Sequence, residues 1–164
     1  MPFEFPVHAR HPALRRLYDY WFQKCRALER LPSRPEIDPG EMKRILRYII
    51  LFDVEHPQSD GAPSLYRFRH RLVGTHIVEM FDRDLTGLYV DQTSSAAEYP
   101  AVYERLAAVV ERREPVYGHY HAPTPHREYV QYEHLTVPLS ADGRTVDLLL
   151  GVRCGLMPLG PSRG

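Results

Sequence analysis

Between residues 65 and 73 the chain alternates without a break: Tyr66, Phe68, His70 and Leu72 take one parity, Arg67, Arg69 and Arg71 the other. Successive side chains of a strand point to opposite faces, so this stretch must be a β-strand with one wet and one covered side. A strand of this kind belongs to an antiparallel sheet, since parallel sheets are covered on both faces. The run Tyr48-Ile49-Ile50-Leu51-Phe52-Asp53-Val54 is apolar, β-branched and aromatic, and reads as a buried strand. A Pro-, Gly-, Ser- and Asp-rich turn at 56–63 joins the two into a hairpin. Tyr66, Phe68, His70 and Leu72 are then expected to face covering helices, and the three arginines solvent.

Residues 11–30 carry Leu14, Leu17, Tyr18, Trp21, Cys25 and Leu28 at steps of three and four, which predicts an amphipathic helix starting at Pro12 and ended by Leu31-Pro32. Its stripe must cover either the domain's own sheet or a second copy, the latter giving a homodimer through this helix. Asp38-Pro39-Gly40-Glu41 supplies a cap and a first-turn proline for a short helix from Pro39 to about Leu46. Short helical pieces occupy Gly74–Asp91. A longer helix runs from Ser94 or Ser95 to Arg113, with Tyr99, Val102, Leu106, Val109 and Val110 on its apolar side. Three strands follow, at about 116–121, 128–139 and 145–154, the last two joined across Ser140-Ala141-Asp142-Gly143, where Asp-Gly is a hairpin signal. On the last strand Val146, Leu148, Leu150 and Val152 are expected to share the helix-facing side. The chain divides into a helix and linker (1–38), a sheet domain (39–155) and a flexible tail (156–164).

Composition narrows the function classes. At 164 residues and 43% hydrophobic, the chain can bury the core of one domain without disulfide or metal staples. Lys plus Arg and Asp plus Glu are each 21, so the basic excess of a nucleic-acid coat is absent. No apolar run reaches the length of a membrane span, and two cysteines without a CxxC rule out a cysteine framework. A cytoplasmic protein is expected, with neither nucleic acid nor membrane as partner.

The order helix, helix, strand, strand, short helices, longer helix and three strands describes an α+β fold: a five-stranded antiparallel sheet with helices on one face, plus the N-terminal amphipathic helix. With Phe68-Arg69-His70-Arg71-Leu72-Val73-Gly74-Thr75, Arg83-Asp84-Leu85-Thr86-Gly87, Tyr132-Glu133-His134-Leu135, Pro138-Leu139 and Asp142-Gly143-Arg144-Thr145, the chain resembles the PAS domain over about residues 14–154, and within it small stand-alone bacterial PAS proteins. The resemblance implies a sensory or regulatory module in signal transduction, acting on a partner protein because no kinase, cyclase or DNA-reading motif is present. It also implies where known cofactors would attach. Flavin-linked relatives use a cysteine between strands two and three, and this chain has none between Cys25 and Cys154. Haem-binding relatives use a histidine on the long helix, which has none here, and His76 on the preceding segment is a poor substitute. Covalent flavin and haem are therefore disfavoured.

Two polar residues fall on sides expected to be covered. His70, among Tyr66 and Phe68, is either a core residue bonded to backbone or a neighbour, or a polar group facing a ligand. If Leu135 and Val137 point inward, alternation brings Glu133 inward too, where it needs an Arg or His partner or meets a ligand's donor. The expected ligand-binding set is Tyr66, Phe68, His70, Tyr117, Glu133, Leu135 and Leu148, between the sheet and the Ser95–Arg113 helix. His119, His121 and His126 cluster in sequence, readable as metal ligands or as imidazoles on a solvated strand. Three function readings result: a sensor binding a small organic ligand, a ligand-free interaction scaffold, and, with no GxSxG, HExxH or phosphate loop to support it, an acid–base enzyme. Phe81, Tyr89 or Tyr117 crowding the cavity would favour the scaffold.

Overall fold

The computed structural model describes residues 3–57, 65–124 and 127–156, and of residues 121–124 and 127–130 it describes the backbone alone. Five strands, β1 (Ile49–Glu55), β2 (Arg67–Val73), β3 (Val116–Thr124), β4 (Arg127–Leu139) and β5 (Leu148–Gly155), form one antiparallel sheet in the order β2-β1-β5-β4-β3. The helix α1 (Pro12–Leu28) precedes the sheet, and α2 (Thr75–Phe81), α3 (Val90–Thr93) and α4 (Tyr99–Arg112) make the crossover from one edge strand to the other. Among the described residues no helix is long and apolar enough to cross a membrane.

Local chemistry sets the element ends. His11 caps α1 by accepting the Ala13 amide on Nδ1 (3.1 Å), Pro12 takes a position that needs no amide, and Glu29 closes the helix in the left-handed conformation at φ 56°. Asp38 accepts the Gly40 amide (2.8 Å) as its cap role requires, but only single 3₁₀ turns follow, at Pro39–Met42 and Leu46–Tyr48. Those turns bury Met42 and Ile45 in the core. The α4 helix starts at Tyr99 rather than Ser95, because Ser95 and Glu98 first close a turn of their own, the Glu98 amide donating to Ser95 Oγ at 3.2 Å. Strand β5 starts at Leu148, not Thr145. Asp142 gathers the amides of Arg144 (2.8 Å) and Thr145 (2.7 Å) and lengthens the loop.

The sheet is covered on both sides. Directly opposed residues share a face, so Phe52, His70, Val54 and Phe68 lie together on the side of the crossover helices, the inner face. Their neighbours Leu149 and Gly151 on β5, and Tyr132, His134 and Thr136 on β4, continue that face. The outer face holds Ile49, Leu51, Leu148, Leu150, Val152, Leu135, Val137 and Leu139. The stripe of α1 closes it: Leu14 and Leu17 are fully buried, and the Trp21 indole donates to the Pro138 carbonyl at 2.9 Å. The helix therefore covers the chain's own sheet.

Two expected facings are corrected. Leu72 lies on the outer face opposite Leu51, because a β-bulge leaves Arg71 unpaired and reverses parity beyond it. Arg67, Arg69 and Arg71 stay exposed, the last two reaching Asp53 at 2.9 and 3.2 Å. On β5 the inward residues are Leu149, Gly151 and Arg153, not Leu148, Leu150 and Val152, whose partners Leu139, Val137 and Leu135 all lie under α1.

Candidate functional site

The crossover helices do not close fully onto the inner face and leave a cavity of about 340 Å³. Phe52 and His70 form its floor on β1 and β2. Phe81, Leu85 and Val90 wall one side, and Ala101, Val102 and Arg105 of α4 the other. Tyr120, Tyr132 and Arg153 come from β3, β4 and β5. Helical spacing brings Arg105 in. It lies three residues after Val102 and four before Val109, on the buried side of α4, and is 8% exposed. Strand alternation brings in Arg153, two residues after Gly151, at 7% exposed.

These two guanidiniums dominate the electrostatics. Arg105 lies over the Tyr120 ring at 3.8 Å, and Arg153 over Tyr132 and Phe81 at 5.2 and 5.6 Å. Among the described residues neither forms an ion pair, and Arg105 Nε and Nη2 and Arg153 Nε are buried with no hydrogen-bond partner. His134, opposite Arg153, is bonded through Nε2 to Thr136 Oγ1 at 2.6 Å and leaves Nδ1 without a partner. Burial, and then the charges of Arg105 and Arg153, hold its pKa well below the usual histidine value. His70 binds the Leu88 carbonyl through Nδ1 at 2.8 Å. A carbonyl only accepts, so Nδ1 carries the proton and Nε2 is left as an acceptor. Burial chiefly pushes the His70 pKa down to about 4, so the ring is neutral near pH 7.

The expected binding residues divide between the two faces. His70 lines the cavity. Phe68 lies buried on the same face opposite Val54 and beside Tyr103, and Tyr66, just before β2, offers its amide to the Tyr103 hydroxyl (3.2 Å). Tyr117, Glu133, Leu135 and Leu148 all lie on the outer face, away from the cavity. Glu133, 1% exposed, accepts the amides of Arg10 (2.6 Å) and His11 (2.8 Å) and the Tyr117 hydroxyl (3.1 Å), so its carboxylate clamps the start of α1. Burial, then that carboxylate, pushes the Tyr117 pKa up to about 12. Of the three residues that would crowd the cavity, Phe81 lines it, whereas Tyr117 is on the far face and Tyr89 lies under Arg67 with its hydroxyl on Glu55. Sequence reasoning missed Arg105 and Arg153. The first was detectable from its place in the α4 stripe; the second was hidden in a strand apolar on both faces.

The residues present do not fit a flavin–thiol adduct or a haem ligand on α4. Cys25 is on α1 and Cys154 is buried on the outer face, with burial raising both thiol pKa values. Nor does α4 carry a histidine, and His76 is taken up by the Gly155 amide at 3.0 Å and the Tyr48 ring. Among the described residues no three His, Cys, Asp or Glu side chains converge as a metal requires. His119 is an exposed outer-face residue, while the side chain of His121 and the whole of His126 lie outside the described residues.

A single antiparallel sheet with its crossover helices roofing a partly polar cavity defines an α+β pocket module. A family model described as a PAS domain matches residues 9–154, and the chain belongs to that family of sensory signal-transduction modules. Solved structures with a similar chain path include the light-oxygen-voltage (LOV) protein of Rhodobacter sphaeroides, at 12% identity and TM-score 0.49, covering 70% of this chain and 62% of that one. A fungal LOV photoreceptor matches at 12% identity and TM-score 0.47, over 84% of this chain and 92% of that one. A sensory box histidine kinase/response regulator of Burkholderia thailandensis matches at 11% and 0.42, over 73% and 85%. The chain thus spans less than two-thirds of the Rhodobacter sphaeroides protein. No curated protein matches it.

Proposed function

We propose that this PAS domain is a cytoplasmic sensor that binds a small organic ligand between the inner face and α4 and passes the occupied state to a partner protein. The observation that carries this reading is the cavity of about 340 Å³, whose apolar walls surround a few convergent polar groups, the usual make-up of a small-molecule site. His70 would present its unprotonated Nε2 to that ligand, with Phe52 and Val102 against its apolar part. Of the three aromatic residues whose crowding would favour a ligand-free scaffold, Tyr89 and Tyr117 are placed away from the cavity, while Phe81 forms part of one wall and leaves its volume open. Cys25 and Cys154, both unpaired, suit a reducing compartment. A homodimer through α1 would use its exposed side, where Tyr18 stacks on Phe22 at 5.7 Å, because the Leu14, Leu17 and Trp21 stripe is already covered.

Native mass spectrometry of the purified chain, followed by thermal shifts against neutral and charged metabolites, tests the proposal. A retained small-molecule mass, or a concentration-dependent rise in melting temperature, is the expected result. An empty protein that no compound stabilises would leave the interaction scaffold in its place.

A further inference from the structure

Resting on the cavity reading above, we infer that the ligand is an organic anion, its carboxylate or phosphate oxygens received by Arg105 of α4 and Arg153 of β5. Both arginines line the cavity, and each is more than nine-tenths buried. A buried charge is normally paired, because taking it out of water costs several kcal/mol that only a partner offsets. Here the pairing is missing. Glu98, the one carboxylate among the described lining residues, is turned towards the Ser95 amide (3.4 Å) and makes no ion pair with either arginine. The aromatic contacts are not substitutes for an anion. A ring beneath a guanidinium takes its flat face, whereas N–H bonds point out of its edge, and three of the nitrogens that carry them have no acceptor.

The two cations also act on each other. Arg105 is one of the charges that lowers the Arg153 pKa, after burial itself. An oxyanion between them would satisfy the free donors and cancel this repulsion together, and guanidinium forks match carboxylate and phosphate geometry. The rest of the cavity selects for an organic body. Phe52, Leu85, Val90 and Val102 offer apolar surface on which an inorganic ion would gain nothing.

The test uses the full chain in calorimetric titrations with matched pairs: octanoate, phenylacetate, 3-phenylpropionate and 4-hydroxybenzoate, each beside its primary amide, and phenyl phosphate beside phenol. At least one anion should bind about tenfold or more tightly than its neutral counterpart, and whether carboxylates or the phosphate ester do so names the group. Arg105→Met and Arg153→Met should each remove most of that preference, weakening anion binding far more than amide binding. Should either fail to fold, Arg105→Lys and Arg153→Lys keep the charge, lose the fork, and should retain part of the preference. Equal binding of anions and amides overturns the inference and leaves the sensor cavity standing. An anion preference that survives both substitutions overturns the assignment to these residues. Failure of every compound, charged or neutral, removes the cavity reading itself.

Discussion

The two faces of the sheet bury polar groups in opposite ways. On the outer face Glu133 is as deeply buried as any carboxylate in a folded core, yet it accepts three hydrogen bonds, two from the amides that open α1 and one from Tyr117. Around it the packing is leucine and valine against Leu14, Leu17 and Trp21. On the inner face the buried polar side chains are His70, His134, Thr136, Arg105 and Arg153; Arg105, Arg153 and His134 retain unpaired nitrogens, and the two arginines line the cavity. A buried polar atom with a partner supports the fold. Several without partners, gathered on one side, mark where the fold leaves interactions for something else to complete. The outer face holds the domain together, and the inner face is where the proposed ligand would sit.

Substitutions should separate the two. The largest effect is expected on the outer face. Trp21→Ala removes an indole buried against β4 together with its bond to the Pro138 carbonyl, and should cost about 3–5 kcal/mol in urea denaturation. Glu133→Gln keeps the shape but turns one acceptor into a donor facing backbone amides. A cost of about 2–3 kcal/mol is expected, with faster proteolysis ahead of Pro12 as the N-terminal clamp loosens. If this variant is as stable as the parent, the outer face is not the structural side.

Acid should act through the inner face. The His70 pKa is lower folded than unfolded, so the unfolded chain binds more protons below about pH 6.5. Stability is then flat above that value and falls as pH drops towards about 4. Between pH 7 and 5 His70 alone should account for roughly 2 kcal/mol of the loss. Depressed values at His134, His11 and His76 act in the same sense. A His70→Asn variant should show a shallower decline between those two pH values; an unchanged profile would sink this account. The smallest effect belongs to the solvent-exposed strand edge. Arg69→Ala, which removes a contact with Asp53 in open solvent, should leave the denaturation midpoint where it is.

Much of this fold can be read from the residues. The arginine alternation set β2, the cap at Asp38 and the turn at Asp142 marked real boundaries, and the α1 stripe told of a covered surface. What could not be read was parity wherever both faces are buried. From Tyr132 to Leu139 every residue is buried, and β5 is buried from Leu148 to Cys154, so no polar position shows which side is out. Glu133 was recognisable as a buried carboxylate in need of partners, but not that those partners would be backbone amides 122 and 123 residues away. The bulge at Arg71 has no sequence signature, and it alone moved Leu72 to the other side.

The burial of Arg153 has a consequence for how β5 finds its place during folding. Sliding that strand by one residue against β4 and β1 would turn Leu148, Leu150 and Val152 onto the inner face, so apolar character alone discriminates weakly, although a side chain in place of Gly151 would press on His134, Ile50 and Leu135. Arg153 opposes the slip as well. Slipped by one, its charge would sit beneath the leucines of α1, far from the rings of Tyr132 and Phe81 that now hold it, and that penalty makes the wrong pairing unstable. A side chain facing the cavity thereby also serves as the strand's key.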